Sequence, residues 1–298
     1  MTEYFGTSTK KGRGRSAKSL ALIKAMYEIA AATQPITGRG IGYKLFTQKL
    51  IPSMSRRDMR VVYRLLLLAR EQGTIPWEWI VDETRSAERV ATWKDPEAYS
   101  RSVANSYRRD FWNHQPVRVE VWSEKGTVRG VLMPVLSEYQ VTFRALHGFN
   151  SATQVWDISQ DDDGRELIAL YVGDIDPSGM CMSEQDLPQR LQEYDGDHVE
   201  VRRIALTREQ VQGLPSFPAA DKLKDTRYRW FVSNYGDTCW ELDAMDLNDL
   251  RDCVEEAIKK LIEPEAWARC HQQNKAERDS LRFVMERWRN PMWEDPVV

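Results

Sequence analysis

The chain has 298 residues, 42% of them hydrophobic and eleven of them tryptophan, enough for two compact domains with sizeable cores. A formal net charge of -3 excludes a protein that coats nucleic acid over its whole surface, so any DNA contact must be a local patch. Four cysteines without Cys-x-x-Cys spacing and four scattered histidines argue against a zinc site, a disulfide framework or a histidine-held metal. With no signal peptide and no apolar run long enough for a bilayer, the expected location is the cytoplasm of a prokaryotic cell, or of one carrying its virus or plasmid, at the nucleoid when bound to DNA.

Residues 1–18 carry Lys10, Lys11, Arg13, Arg15 and Lys18 against the single acid Glu3, a flexible basic arm suited to nucleic acid and equally typical of an ordinary disordered terminus. Residues 19–33 read as a helix with Leu20, Ile23, Met26, Tyr27 and Ala30 as its buried stripe. A turn and short helix follow over residues 35–46, with Thr37 as cap. Arg39 and Tyr43 are four apart there, which puts both on one helix face, where a guanidinium can bind the phosphate that a tyrosine hydroxyl attacks. The competing reading is an ordinary amphipathic tyrosine packed with Leu45, Phe46 and Leu50. Residues 55–70 form a capped helix with Met59, Val62, Leu65, Leu66 and Ala69 as core face; Arg56, Arg57, Arg60 and Arg64, with Lys44 before them, are placed for phosphate contact or simply solvated. Residues 74–81 read as an aromatic strand, with a polar turn at residues 82–85. A connecting helix is expected from Asp95 to Trp112, started by Pro96.

The alternating segment at residues 117–123 reads as a strand that leads into Glu124 and Lys125 before a helix at residues 127–138. Residues 167–172, Leu-Ile-Ala-Leu-Tyr-Val, are a continuous apolar run, the pattern of a strand buried on both faces of a parallel sheet. Gly173 and Pro177 end it, and between them stand Asp174 and Asp176. Ligands of open α/β sheets gather beyond the carboxyl ends of strands, where hard carboxylate oxygens suit Mg2+ or Mn2+. Glu124, placed alike, supplies a third carboxylate; taken singly, these acids also read as solvated turn residues or a helix cap. The Asp-Asp-Asp run before Gly164 looks like a solvated hairpin tip. A further strand is expected at residues 199–206, a capped helix from Thr207, a Glu-Leu-Asp-Ala strand around Glu241 and Asp243, and two closing helices, residues 247–262 and 264–289.

A glutamate after one strand, Asp-Ile-Asp-Pro-Ser-Gly after a later one, and the glycine-bearing segment at residues 147–150 between them resemble the TOPRIM domain of topoisomerases, primases and related nucleases. The Asp-x-Asp form and the upstream Arg39 and Tyr43 look most like the topoisomerase VI A subunit and the related meiotic double-strand-break transesterase. The resemblance covers roughly residues 35–262 at motif level, and Gly42 departs from it, standing where an aromatic usually precedes the tyrosine. It implies an α/β chain: a helical, CAP-like winged-helix domain (residues 19–85, with residues 74–81 as wing), the connecting helix (86–115), a Rossmann-like TOPRIM domain with a central mostly parallel sheet (116–262) and a helical extension (263–298). It also implies a homodimer on double-stranded DNA, assembled in trans, with Tyr43 as nucleophile, Arg39 steadying the phosphate, and Glu124, Asp174 and Asp176 holding Mg2+ or Mn2+. Cleavage would leave 5′-phosphotyrosyl ends. Topoisomerase VI uses a separate ATPase subunit, and no Walker A element is present here, so the chain resembles a free-standing, reduced A subunit of phages and mobile elements. Two alternatives stand beside this: a TOPRIM nuclease that hydrolyses DNA with activated water, and a catalytically silent DNA-binding protein.

Overall fold

The computed structural model describes residues 16–81, 91–146 and 152–287, and it divides into two units, Met1–Val81 and Asp82–Val298. Most of the basic arm, the polar turn at residues 82–85 and the glycine-bearing segment at residues 147–150 lie outside the described residues. Among the described residues no helix is long and apolar enough to cross a membrane.

In the first unit, Ser16 caps α1 (Ala17–Thr33) by accepting from the Ser19 amide. The buried stripe of α1 is Leu22, Ile23, Met26, Ile29 and Ala30, rotated from the expected one: Leu20 and Tyr27 are 51% and 42% exposed. The consecutive apolar residues Leu20-Ala21-Leu22-Ile23 offer two candidate stripes, and packing on the neighbouring helices selects between them. β1 (Ile36–Thr37) leads into α2 (Gly38–Thr47), whose cap is Thr37, accepting from the Gly40 amide at 3.0 Å. α3 (Arg56–Glu71) begins at the Ser55 cap and buries Met59, Val62, Leu65, Leu66 and Ala69, the expected face. The expected strand at residues 74–81 is mostly absent. Pro76 opens a 3-10 turn over Trp77–Trp79, and only β2 (Ile80–Val81) is extended, paired in parallel with β1. The fixed φ of proline favours that turn over a ladder position. Residues 74–81 therefore form no β-hairpin wing. Trp77 instead stacks under the Arg70 guanidinium, 4.2 Å away.

In the second unit, α4 (Pro96–Ser106) is capped by Asp95 and stops at Ser106, short of the expected Trp112. It packs along α11 (Pro264–Arg287): Ser100 donates to the Met285 carbonyl, and Tyr107 and Arg109 both bind Glu277. The helix expected to connect domains is thus docked within this unit. Four parallel strands follow, β3 (Arg118–Ser123), β4 (Thr142–Ala145), β5 (Leu167–Val172) and β6 (Val199–Ala205), in the order β4-β3-β5-β6. The crossovers are α5 (Val128–Glu138), α6 (Ala152–Gln160), and the composite of α7 (Pro177–Cys181), a π turn at Met182–Asp186 and α8 (Leu187–Glu193).

All six residues of β5 are buried, as its unbroken apolar run requires. Val121, Ile168, Leu170 and Val172 pack with Leu132 and Val135 of α5 and with Leu250, Val254 and Ile258 of α10 (Leu247–Lys259). Trp122, Ala169 and Tyr171 pack on the opposite side with Val155 and Ile158 of α6 and Leu187 and Leu191 of α8. Each such aliphatic side chain contributes roughly 1.5–3 kcal/mol when fully buried, so the central strands are the best-anchored part of the unit. The aspartate run at residues 161–163 links α6 to a parallel strand and is no hairpin tip; Arg118 pairs with Asp161 at 3.0 Å and Asp163 at 3.4 Å. After β6 the chain turns at residues 207–213 where a helix was expected, then forms β7 (Phe217–Pro218), a 3-10 turn at Ala219–Lys222, α9 (Tyr228–Tyr235) and β8 (Thr238–Cys239), antiparallel to β7. The Glu-Leu-Asp-Ala segment is a 3-10 turn, Leu242–Ala244, and no strand.

Candidate functional site

The chain leaves β3 for β4 on one side and returns as β5 on the other, so the sheet's topological switch lies between β3 and β5. Loops diverge there and open a crevice at the carboxyl ends of the strands. Glu124 follows β3 directly, and Asp174 and Asp176 follow β5, so the three sequence-predicted carboxylates flank this one crevice.

Each is held by its own local structure. Gly173 continues the β5–β6 ladder, its amide donating to the Ala205 carbonyl at 2.7 Å. Ile175 exchanges two 2.9 Å backbone bonds with Trp240, which pins the residue between the aspartates. Asp176 is the N-cap of α7: its Oδ1 accepts from the Gly179 amide at 2.7 Å, and its Oδ2 faces Lys222 Nζ at 3.1 Å. Asp174 Oδ1 accepts from Lys125 Nζ at 2.9 Å and from the Leu242 amide at 2.7 Å. Lys125 also reaches Asp243 at 3.5 Å. Glu124 takes no hydrogen bond among the described residues. Burial, then the charges of Asp176 and Asp174, hold its carboxyl above the ordinary glutamate value. Burial likewise raises Asp174, against the pull of Lys125. Burial pulls the Lys125 ammonium down, but Asp243 and Asp174 outweigh it and raise it overall.

Arg203 of β6 fixes the loop that carries both aspartates. Its side chain is 8% exposed and donates to the carbonyls of Gly173 (3.1 Å), Asp174 (3.3 Å), Gly179 (2.7 Å) and Leu206 (3.2 Å). Its guanidinium also lies 5.1 Å from the Tyr171 ring. The Tyr171 hydroxyl is fully buried without a hydrogen-bond partner, and burial raises it, with Glu124, Asp174 and Asp176 adding to the rise. It points along the strand toward Gly173, where an added Cβ would lie 3.1 Å from it. Gly179 is obligatory for another reason: a Cβ there would meet the Asp174 carbonyl oxygen at 2.5 Å. Cys239 is buried nearby, its thiol pushed up to about 12 by burial and Asp176, so it is a core residue and no nucleophile.

Among the described residues no three His, Cys, Asp or Glu side chains are already drawn together to hold a metal ion. The donor chemistry nonetheless fits a hard divalent cation. Glu124, Asp174, Asp176, Glu241 and Asp243 face two ammoniums, Lys125 and Lys222, so carboxylates outnumber cations there, while Arg227 pairs with Asp225. The orphaned Tyr171 hydroxyl beside them is a buried polar group awaiting a water or ligand oxygen.

In the first unit, Arg39 is exposed and its guanidinium sits 5.6 Å from the ring centre of Tyr43, on the one face that their spacing requires. Tyr43 is only 8% exposed, in the core of its unit. A Cβ at Gly42 would fall 2.5 Å from the sulfur and methyl of Met59, so any side chain there requires the end of Met59 to move. Lys44 is half-buried, and Arg56, Arg57, Arg60 and Arg64 line the exposed face of α3.

Lys125, Lys222, Tyr171 and Arg203 were given no site role by sequence reasoning, and Asp243, noted as able to approach the metal region, was assigned to closing the fold. Arg203 alone left a trace, as a charged residue on the inner face of a sheet strand. The lysines and Asp243 reach the aspartates from distant segments, and only the fold joins them. Comparison of the chain with protein-family models, with curated proteins and with solved structures finds no match.

Proposed function

We propose that the chain is a divalent-metal-dependent DNA-cleaving enzyme of winged-helix and TOPRIM organisation, acting by tyrosine transesterification as a homodimer on double-stranded DNA. The observation that carries this reading is the meeting of Glu124 with Asp174 and Asp176 at the switch point of a parallel sheet, with mutual repulsion that burial sharpens. Glu124, Asp174 and Asp176 would hold Mg2+ or Mn2+, which when bound supplies charge stabilisation on the phosphate and on the leaving 3′ oxygen.

The chain's own groups do the rest. Tyr43 Oη attacks phosphorus and loses its proton; an oxygen–phosphorus bond to tyrosine forms, the bond from phosphorus to the 3′ oxygen breaks, and that oxygen takes up a proton. A tyrosine hydroxyl with an ordinary pKa near 10 needs this assistance at neutral pH. Arg39 orients the phosphate by a charge-assisted fork. Arg56, Arg57, Arg60, Arg64 and Lys44 bind the backbone without reading sequence. A separate ATPase subunit is a possible further partner.

The burial of Tyr43 favours one second reading, in which the same carboxylates serve hydrolysis by activated water and Tyr43 is structural. Tyr43→Phe and Asp174→Asn separate the two. Covalent transfer predicts that both variants lose the detergent-stable protein–DNA adduct. Hydrolysis predicts that Tyr43→Phe cuts as the wild type does while Asp174→Asn is inactive.

A further inference from the structure

The carboxylate crevice carries its own cations. Lys125 Nζ lies 2.9 Å from Asp174 and 3.5 Å from Asp243, and Lys222 Nζ lies 3.1 Å from Asp176. The two lysines enter from opposite parts of the chain, Lys125 directly after Glu124 and Lys222 from the 3-10 turn beyond β7, and each reaches a different aspartate. Glu124 alone has neither a cation within hydrogen-bond reach nor another hydrogen bond among the described residues.

We propose that Lys125 and Lys222 are resident counter-ions of the divalent-cation site, displaced when the cation enters, so that metal binding is an exchange of two ammoniums for one divalent ion. The inference rests on the metal-dependent reading above and deepens it. Three observations support it. The lysines occupy oxygens of Asp174 and Asp176, the same atoms a cation would use, while Asp174 Oδ2 and the whole Glu124 carboxylate are left over. The Lys222 side chain is 42% exposed, so its ammonium can swing into solvent without unfolding any element, and the Lys125 side chain is 30% exposed. Without them, close carboxylates would stand in the crevice with no charge to balance them. The apo fold keeps its acids together because the lysines neutralise them. The cation must outcompete those lysines, which weakens its binding.

Mn2+ titration of the full chain, followed by calorimetry and by the electron paramagnetic resonance of free Mn2+, tests this with wild type, Lys125→Met, Lys222→Met and Asp174→Asn. Methionine keeps the apolar stem and removes the charge. The expected result is that each lysine variant binds Mn2+ about ten times more tightly than wild type, and that Asp174→Asn loses binding. Each lysine variant should also melt below wild type in chelator and gain more from saturating Mn2+. If Lys125→Met does not fold, the more exposed Lys222→Met gives the same comparison. Wild-type binding with equal or weaker binding in the lysine variants overturns the exchange and leaves the metal centre standing. No Mn2+ binding in any of the chains overturns both.

Discussion

At the scale of single residues, Glu124 and Arg203 are opposites. Glu124 is a half-buried carboxylate facing two others, and Arg203 is a buried cation whose donors are all committed to backbone carbonyls, a serine hydroxyl or a nearby acid. Glu124 and Asp174 have folded-state pKa values raised above the ordinary carboxylate range. Such groups favour folding while protonated, and that contribution disappears as pH rises through the raised range. The contribution of these two groups to the stability of the metal-free protein should therefore fall as pH climbs from about 4 toward neutrality, the reverse of a salt-bridged carboxylate. Glu124→Gln should remove the penalty and raise the Tm in chelator at pH 7 by about 2–4 °C, corresponding to ~1 kcal/mol. A lower Tm would mean that Glu124 is stabilising. Arg203→Lys keeps the charge but loses the planar fork that binds several carbonyls at once. It should cost about 3 kcal/mol or more in denaturant unfolding, and a neutral result would show that the loop holds itself.

At the scale of elements, the segments with one dominant period were legible. α3 displays its five buried residues at unmistakable helical spacing, and the apolar run of β5 has no polar position that permits exposure. α1 has four consecutive apolar residues, Leu20 to Ile23, that fit more than one stripe, so its stripe was misplaced, and Pro76 turned an aromatic strand into a 3-10 turn. β4 was not anticipated, since Thr-Phe-Arg-Ala carries only a short and half-buried pattern. The packing of α2 on α3 leaves little room for a side chain at Gly42. Gly42→Phe should destabilise the protein by about 1–3 kcal/mol through collision with Met59, and Met59→Ala in the same chain should recover part of the loss. Additive losses in denaturant melts would contradict this coupling. Gly179→Ala should likewise displace the Asp174 backbone, weakening Mn2+ binding as well as stability; unchanged binding would show that the loop adapts.

At the scale of the whole molecule, strand order is what brings scattered acids to one edge of the sheet. Glu124 and the Asp-x-Asp pair were recognisable because each follows a strand. Their meeting depends on β3 and β5 being neighbours at the point where the chain reverses its direction across the sheet. The clamp and the orphaned hydroxyl were invisible in sequence because each comes from a segment with its own local reason to exist. The reading of the first unit as the carrier of the nucleophile rests on motif spacing, and that of the second on assembled geometry. The most direct measurement is the incubation of purified protein with supercoiled plasmid in Mg2+ or Mn2+, stopped with detergent and run with and without protease digestion. The account predicts metal-dependent linear DNA that enters the gel only after protease, absent with chelator and with Asp174→Asn. Plasmid that stays supercoiled under every condition, or cutting that persists in Asp174→Asn, would contradict it.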